Sequence, residues 1–203
     1  VKRGNGLVPY TATDPEGAFL GVGAKVSFGD MVESVLFYSQ KEETVTGGSV
    51  SLNGEKWRAG VNLLAVREVA WEGGVSADLL WTYGRYRFFG ECAVDWDGDG
   101  AVLIGALLPV SGDFECGAAI RCYSPEYYAS FSGGLSSSSG GKNQIGGTYS
   151  FLWNISRFIE LRSSVDAVFY PAPRYGVKIP SMEVESAVEG EWEYHDQRII
   201  CRY

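Results

Sequence analysis

Apolar and acidic side chains alternate along residues 182–194 almost without interruption. Met182, Val184, Val188 and Trp192 share one set of positions, and glutamates occupy most of the positions between them. Because successive side chains of a β-strand point to opposite faces, this period of two predicts a strand with one apolar and one acidic face. A strand of about a dozen residues is long for a soluble protein and suits a tilted membrane-spanning strand, which needs roughly 9 to 11 residues.

The same alternation recurs along most of the chain and predicts a succession of hairpins. The clearest turn signal is Asn53-Gly54, the favoured dipeptide of a two-residue type I′ turn, between two alternating arms in residues 47–68. The pattern indicates about eleven or twelve strands and no helix. We therefore predict an all-β fold, an antiparallel up-and-down meander. The other predicted strands cover residues 18–28, 31–40, 75–83, 86–94, 101–109, 114–123, 144–153, 158–169 and 197–203.

The predicted connections differ in length. Residues 124–143 and 170–181 form long connections, and the first of them includes a glycine- and serine-rich stretch, residues 132–142, whose composition predicts a flexible extracellular loop. Short turns on one side and long loops on the other are typical of outer-membrane barrels. The short turns are predicted at residues 84–85, 110–113, 154–157 and 195–196.

Aromatic side chains cluster near the predicted strand ends, as they do in the interfacial girdles of membrane barrels. They favour a transmembrane β-barrel of about 12 strands, either complete or a large part of one. The alternative is a soluble sandwich, in which the apolar face forms a dry core and the charged face meets water. The long unbroken meander favours the barrel. The aromatic residues are Trp57, Trp71, Trp81, Tyr83, Tyr86, Tyr149, Trp153, Phe158, Phe169, Tyr170, Trp192, Tyr194 and Tyr203.

Composition and charge narrow the class of protein. Of 203 residues, 45% are hydrophobic and 21% are charged, which excludes a disordered chain, and 27 glycines favour a turn-rich β protein. We expect a single domain over residues 1–203, truncated at one or both ends, because the chain begins at Val1 without a recognisable signal peptide. No apolar run reaches the roughly 18 residues of a transmembrane helix. A formal net charge of -8 argues against a nucleic-acid surface in this segment.

Three stretches of the chain resemble a family of bacterial outer-membrane β-barrel proteins. Residues 121–144 (RCYSPEYYASFSGGLSSSSGGKNQ) and 169–177 (FYPAPRYGV) are similar to loops of that barrel, and residues 48–61 (GSVSLNGEKWRAGV) are similar to an earlier hairpin. The resemblance spans most of the chain and implies a membrane barrel, and none of its motifs carries a catalytic residue. In that family the barrel follows an amino-terminal helix-hairpin-helix region, which this sequence lacks, so a DNA-binding role does not carry over.

The polar face of the predicted strands carries side chains of both charges. In a barrel these side chains would point into the lumen, where opposite charges on neighbouring strands pair and set the selectivity of a passage. Small barrels often fill their own interiors, so an open pore lining and a plugged ion-pair network are both consistent with this face. The lumen-lining candidates are Lys25, Arg58, Arg87, Glu91, Asp95, Glu115, Arg121, Glu160, Arg162, Asp166, Glu185 and Glu189.

Few residues suggest metal binding or catalysis. Asp95, Asp97 and Asp99 form the first half of a calcium loop, but its last ligand position is Ala106 rather than a glutamate, so calcium binding is a weak hypothesis. His195, the only histidine, lies in a predicted turn and lacks the partners of a catalytic triad or a zinc site. We predict no enzyme activity and no cofactor. The cysteines lack metal-binding or redox spacing and are interpreted as small apolar residues, namely Cys92, Cys116, Cys122 and Cys201.

The sequence therefore predicts an outer-membrane β-barrel of a Gram-negative cell envelope. Its expected role is porin-like passive passage or a structural scaffold, its expected partner is the lipid bilayer of the outer membrane, and no nucleic acid is expected to bind this segment. The alternative function belongs to a soluble extracellular β-sheet module whose exposed aromatic side chains bind a glycan or a protein.

Overall fold

A single antiparallel sheet contains every strand that the structure describes, and each strand pairs with its neighbour in the chain. The computed structural model describes residues 21–40, 44–67, 71–127, 142–173, 179–194 and 197–203. The prediction of an all-β, antiparallel up-and-down meander is confirmed. The strands are β1 (Gly21–Phe28), β2 (Val32–Gln40), β3 (Thr44–Asn53), β4 (Trp57–Arg67), β5 (Trp71–Tyr83), β6 (Tyr86–Asp95), β7 (Gly100–Pro109), β8 (Phe114–Tyr123), β9 (Gln144–Ser156), β10 (Ile159–Tyr170), β11 (Ser181–Tyr194) and β12 (Gln197–Arg202). The described residues contain no helix, and so none that could cross a membrane.

The register of strand pairing gives the whole sheet two chemically different faces. Residues directly opposite each other on paired strands share a face, so a row can be followed from β1 to β11. One row has no charged member: Val26, Ser34, Val50, Val61, Ala77, Cys92, Val102, Cys122, Ile145, Phe169 and Met182. The adjacent row, on the other face, is Ser27, Glu33, Ser51, Gly60, Asp78, Glu91, Leu103, Arg121, Gly146, Val168 and Glu183.

Burial is the reverse of what a water-soluble sheet shows. On the polar face, Asp78 is 6% exposed and Arg121 is 4% exposed. On the apolar face, Val61 is 52% exposed and Ile120 is 64% exposed. In a soluble sandwich the apolar face would be covered and the charged face would meet water. We call the face that bears Asp78 and Arg121 the inner face, and the face that bears Val61 and Ile120 the outer face.

The sheet curls so that its inner face packs against itself. Buried side chains from β3 to β8 form one apolar cluster, although these strands are far apart in the order of the sheet. The cluster lies toward the end of the sheet where residues 124–143 connect β8 to β9, which we call the long-loop end. The opposite end, where Gly84 and Arg85 connect β5 to β6, is the short-turn end. The cluster consists of Val45, Leu64, Val66, Ala93, Ala101, Leu103, Ala119, Tyr123 and Tyr127, with Phe37 and Phe89 packed against it.

The predicted alternation of loop lengths holds at one end of the sheet. All connections at the short-turn end are brief, as predicted. At the long-loop end, residues 124–143 and 171–180 are long, but only residues 96–99 separate β6 from β7, and the connections over residues 41–43 and 68–70 are equally brief. The two long connections therefore both lie between β8 and β11 in the chain.

Two predicted turns differ from the observed ones. The β3–β4 connection has three residues, 54–56, and Gly54 has no positive φ, so the predicted type I′ turn at Asn53-Gly54 is wrong. Glycine is needed here for space instead, because the Trp57 indole occupies the position of a Gly54 Cβ. The β9–β10 turn is also shorter than predicted, since β9 continues to Ser156 and a register shift at Ile159/Glu160 absorbs the difference.

The two outermost strands each have a free side in the described part of the chain. The series of pairings runs from β1 to β12, and no pairing joins β1 to β12 among the residues described. Both strands keep the alternation of the rest of the sheet, with Val26 and Phe28 exposed on β1 and Ile199 exposed on β12. The described sheet is therefore an open, curled meander.

We expect Gly105→Ala to destabilise the fold, because a Cβ at Gly105 would lie 2.8 Å from the Ala118 carbonyl oxygen and within the Phe89 ring. Overpacking of this kind costs about 1 to 3 kcal/mol. The control is Gly112→Ala, since a Cβ at Gly112 meets open space and its φ is not positive. Denaturant unfolding of the folded protein in detergent or lipid vesicles would measure both, and equal stabilities would contradict the packing assigned to Gly105.

Candidate functional site

The inner face is the candidate functional site, and the register brings all the predicted lumen-lining side chains onto it. They differ in burial. Buried residues lie at the centre of the sheet, and the most exposed ones lie on β1, on β11 or near the short-turn end. Glu91 and Arg121 are buried; Arg58, Asp95, Glu160, Asp166 and Glu189 are half-buried; Lys25, Arg87, Glu115, Arg162 and Glu185 are exposed.

A bidentate ion pair joins β8 to β10 across the strand that separates them. Arg121 donates from Nη1 and Nη2 to the two carboxylate oxygens of Asp166, at 2.7 Å each. It also donates to Thr148 Oγ1 at 3.1 Å and to Gln144 Oε1 at 3.3 Å, while Thr148 donates to Asp166 at 2.6 Å. The Arg121 side chain reaches across about 10 Å, which is two strand spacings, from β8 to β10. It passes over Gly146, which lies opposite Arg121. A side chain at Gly146 would collide with the β10 backbone.

A second network joins β4 to β5. Arg58 Nη2 donates to Asp78 Oδ1 at 2.9 Å, and Asn62 Nδ2 donates to Asp78 Oδ2 at 3.1 Å and to Ser76 Oγ at 3.2 Å. Gly60, directly opposite Asp78, again makes room, because a Cβ there would lie 2.5 Å from the Asp78 carboxylate. Gly60 therefore leaves space for an ion pair, whereas Gly146 permits the close approach of β9 and β10 beneath one.

These networks suit a covered face of the sheet. Burying an ion is costly unless a counter-charge and hydrogen bonds compensate, and both carboxylates accept hydrogen bonds at both oxygens. Arginine is well suited to Asp166 because its planar fork matches a carboxylate. An arginine held by four hydrogen bonds is positioned to fasten strands together rather than to exchange partners with a passing solute.

The ion pairs nearer the edges of the sheet are more exposed. Lys25 and Glu33 approach to 3.1 Å, and Arg162 pairs with Glu160 and, at 3.9 Å, with Glu189. Arg162 also lines a cleft of about 570 Å³ that runs from β7 to β11, with Glu115 and Glu189 among its other lining residues. Exposed pairs of this kind contribute little to stability. The Arg162 and Glu189 side chains are accessible from the cleft.

The calcium candidate is an ordinary capped turn. The Asp95 carboxylate accepts hydrogen bonds from the backbone N–H groups of Asp97 at 3.1 Å and Asp99 at 2.9 Å, so it organises the turn without a metal. Gly98 adopts the positive φ that the turn requires. Within the described ranges, no three acidic, cysteine or histidine side chains are grouped as metal ligands would be. His195 and most of residues 132–142 lie outside the described residues.

The prediction of site residues was based on charged side chains, so it did not include the uncharged members of the site. Asn62, Gln144 and Thr148 complete the two networks, and each occupies a polar-face position of an alternating strand. The alternation of polar and apolar positions along these strands could therefore have identified them. Asn143 is different, because its role depends on a contact with Ala172 across two loops.

We expect Asp166→Asn to destabilise the protein by about 3 kcal/mol, because it leaves the buried Arg121 guanidinium without its counter-charge. Glu189→Gln removes one partner of the exposed Arg162 and should cost no more than about 1 kcal/mol. Chemical denaturation in lipid vesicles measures both changes. The double variant Arg121→Met/Asp166→Leu should recover most of the loss, and failure to recover it would show that the network does more than fasten strands.

Comparison with known proteins assigns no family to this chain. No protein-family model matches it, and no curated protein matches it. The resemblance to an outer-membrane barrel family therefore stays a prediction, and the inner and outer faces carry the functional argument.

Proposed function

We propose that the chain is an outer-membrane β-barrel, or a large part of one, whose packed inner face makes it a structural scaffold. The observation that carries the proposal is the inverted burial: charged side chains such as Asp78, Glu91 and Arg121 are covered, while apolar ones such as Val61 and Ile104 are exposed. Such a surface is costly in water and favourable in hydrocarbon. The polar inner and apolar outer alternation is that of membrane barrels.

The height of the apolar surface supports a membrane span. On the outer face of β5, exposed Trp71 and Trp81 mark the two ends of a stretch without outward charges. Ten residues of strand extend about 33 Å, which becomes roughly 25 Å when the strand tilts by about 40°. That value is close to the thickness of the apolar band of outer-membrane barrels, about 25 Å.

Aromatic side chains lie where the membrane interfaces would be. At the short-turn end, the Trp81 ring contacts the rings of Phe88 and Tyr83, with centroids 5.5 Å and 6.0 Å apart. At the long-loop end, the Arg67 guanidinium lies 5.8 Å from the ring centroid of Trp71. Tryptophan and tyrosine favour the headgroup region, and an adjacent arginine can reach lipid phosphates.

The stagger of the strands also supports a barrel. The apolar row that passes near the short-turn end of β1 at Val26 reaches the opposite end of β10 at Phe169. A progressive shift of this kind tilts the strands, as barrel closure requires. Because a free sheet edge is very costly in hydrocarbon, the proposal includes pairing of β1 and β12 with each other or with further strands.

Of the two predicted roles, the packed inner face favours a scaffold over passive passage. The apolar cluster covers the long-loop end, and hydrogen-bonded ion pairs line the centre of the inner face. Porin-like passage would require this interior to open. No observation favours the soluble binding module, whose aromatic ligand site would need to lie on an otherwise water-compatible surface.

We expect the full-length protein, expressed with an export signal, to fractionate with the outer membrane. It should also migrate differently on a gel before and after boiling, because a folded barrel resists detergent until it is heated. A soluble protein with identical migration in both conditions would refute the proposal and favour the extracellular binding module.

We expect Val61→Arg to cost about 2 to 4 kcal/mol in lipid vesicles, because the side chain would face hydrocarbon near the middle of β4. Val110→Arg is the matched control, since Val110 is equally exposed but lies in the β7–β8 turn, where the cost should fall to about 0 to 1 kcal/mol. In a water-soluble protein both substitutions would be nearly neutral surface changes. Equal unfolding free energies for the two variants would count against a lipid-facing β4.

A further inference from the structure

Three tyrosines cover the inner face at the long-loop end. Tyr123 and Tyr170 are each the last residue of a strand, and Tyr127 follows β8; all three are 1% exposed. The ring centroids of Tyr123 and Tyr127 are 6.4 Å apart. Burial raises the pKa of Tyr127 well above its usual value, so its hydroxyl stays neutral. We call these residues the tyrosine plug.

The apolar cluster extends the plug across the sheet. Val45 of β3, Leu64 of β4 and Leu103 of β7 belong to the same cluster as Tyr123 and Tyr127. The apolar cluster and the plug together cover the inner face from β3 to the segment after β8. None of the residues in the cluster or the plug lies between 128 and 141. An apolar constriction of this kind blocks hydrated ions because it excludes water.

A set of loop hydrogen bonds holds the plug in place. The Asn143 side chain donates to the Ala172 carbonyl oxygen and accepts from the Ala172 N–H, both at 2.8 Å. The Asn143 N–H donates to the Ser124 carbonyl oxygen at 2.9 Å, and Ser124 is bonded in turn to Gly100. Asn143 is 7% exposed and has a φ of 54°, a conformation that asparagine tolerates better than most residues. The loops that flank the plug are thus fastened to each other.

Beyond the plug, the inner face becomes accessible toward the short-turn end. The cleft of about 570 Å³ between β7 and β11 begins near Leu107, which is 47% exposed although it shares a face with buried Leu103. Ser150 and Ser164 line its middle. The interior is therefore closed at one end and hollow toward the other.

Acidic side chains outnumber basic ones on the inner face. Among the side chains that the structure describes, the basic residues are Lys25, Arg58, Arg87, Arg121 and Arg162. The acidic residues are Glu33, Glu72, Asp78, Glu91, Asp95, Glu115, Glu160, Asp166, Glu183, Glu185, Glu189 and Glu191. A water-filled passage along such a surface attracts cations and repels anions.

We propose that the tyrosine plug is the barrier of a latent passage for small inorganic cations, and that the Asn143 clasp on Ala172 keeps it shut. The inference rests on the proposed barrel, because only a closed wall around the inner face can separate two compartments. Its basis is the combination of an apolar cover at one end, a hollow at the other and an excess of carboxylates on the inner face.

The test is ion conductance in planar lipid bilayers separating unequal concentrations of KCl. Tyr127→Ala removes a plug side chain without touching a strand, and Asn143→Ala removes the clasp without changing the plug. Each should raise the conductance per inserted molecule roughly tenfold or more over the unchanged protein, with K⁺ permeating better than Cl⁻. Tyr149→Ala, on the exposed outer face of β9, is the matched control and should conduct like the unchanged protein.

Heat-modifiable migration of each protein is measured first, so that two failures remain distinct. An unchanged protein that does not insert refutes the proposed barrel itself. If the proteins insert and both plug variants conduct no better than Tyr149→Ala, the plug is not the barrier and the inference fails. The inference is also overturned if the plug variants prefer Cl⁻ over K⁺. It is overturned as well if the unchanged protein already conducts as well as the plug variants.

Discussion

Unbroken antiparallel pairing between chain neighbours is the constraint on which the rest of the structure depends. Since the pairing runs through twelve strands, each side chain is assigned to one of two faces, and a row begun at Val26 carries no charged side chain as far as Met182. A slip of one residue in any pair would exchange the faces of the strands beyond it. The register of strand pairing therefore determines both the exposed outer face and the charged inner face.

Charge on a covered face imposes a second constraint, since buried ions must find partners within reach. The structure meets it with two arginine–aspartate pairs supported by amide and hydroxyl groups, with Gly60 leaving room for the Asp78 carboxylate and Gly146 permitting close approach of β9 and β10. Glycine in a strand weakens local propensity, yet here it permits close approach of strands and side chains. These networks fasten strands β4–β5 and β8–β10, and the tyrosine plug closes the space between them and the long-loop end.

The sequence was informative where a periodic signal could accumulate and less so where one contact decides. Strand positions, strand order and the face of each charged residue followed from alternation over many residues. The turn at Asn53-Gly54 did not follow its dipeptide preference, because β3 continues through Asn53 and three residues, 54–56, connect it to β4. The β9–β10 turn likewise depended on a register shift at Ile159/Glu160, which no local pattern announces.

By itself, the sequence determined the all-β meander, the two faces and the membership of all twelve charged candidates on one of them, because a period of two is a property of neighbouring residues. Only the tertiary structure decided which face is covered, since burial depends on how the whole sheet curls. It also decided that Arg121 pairs with Asp166 rather than with a nearer strand, and that Asn143 joins Ala172. Contacts between residues far apart in the chain depend on stagger and curvature summed over many strands. No local stretch of sequence determines that sum.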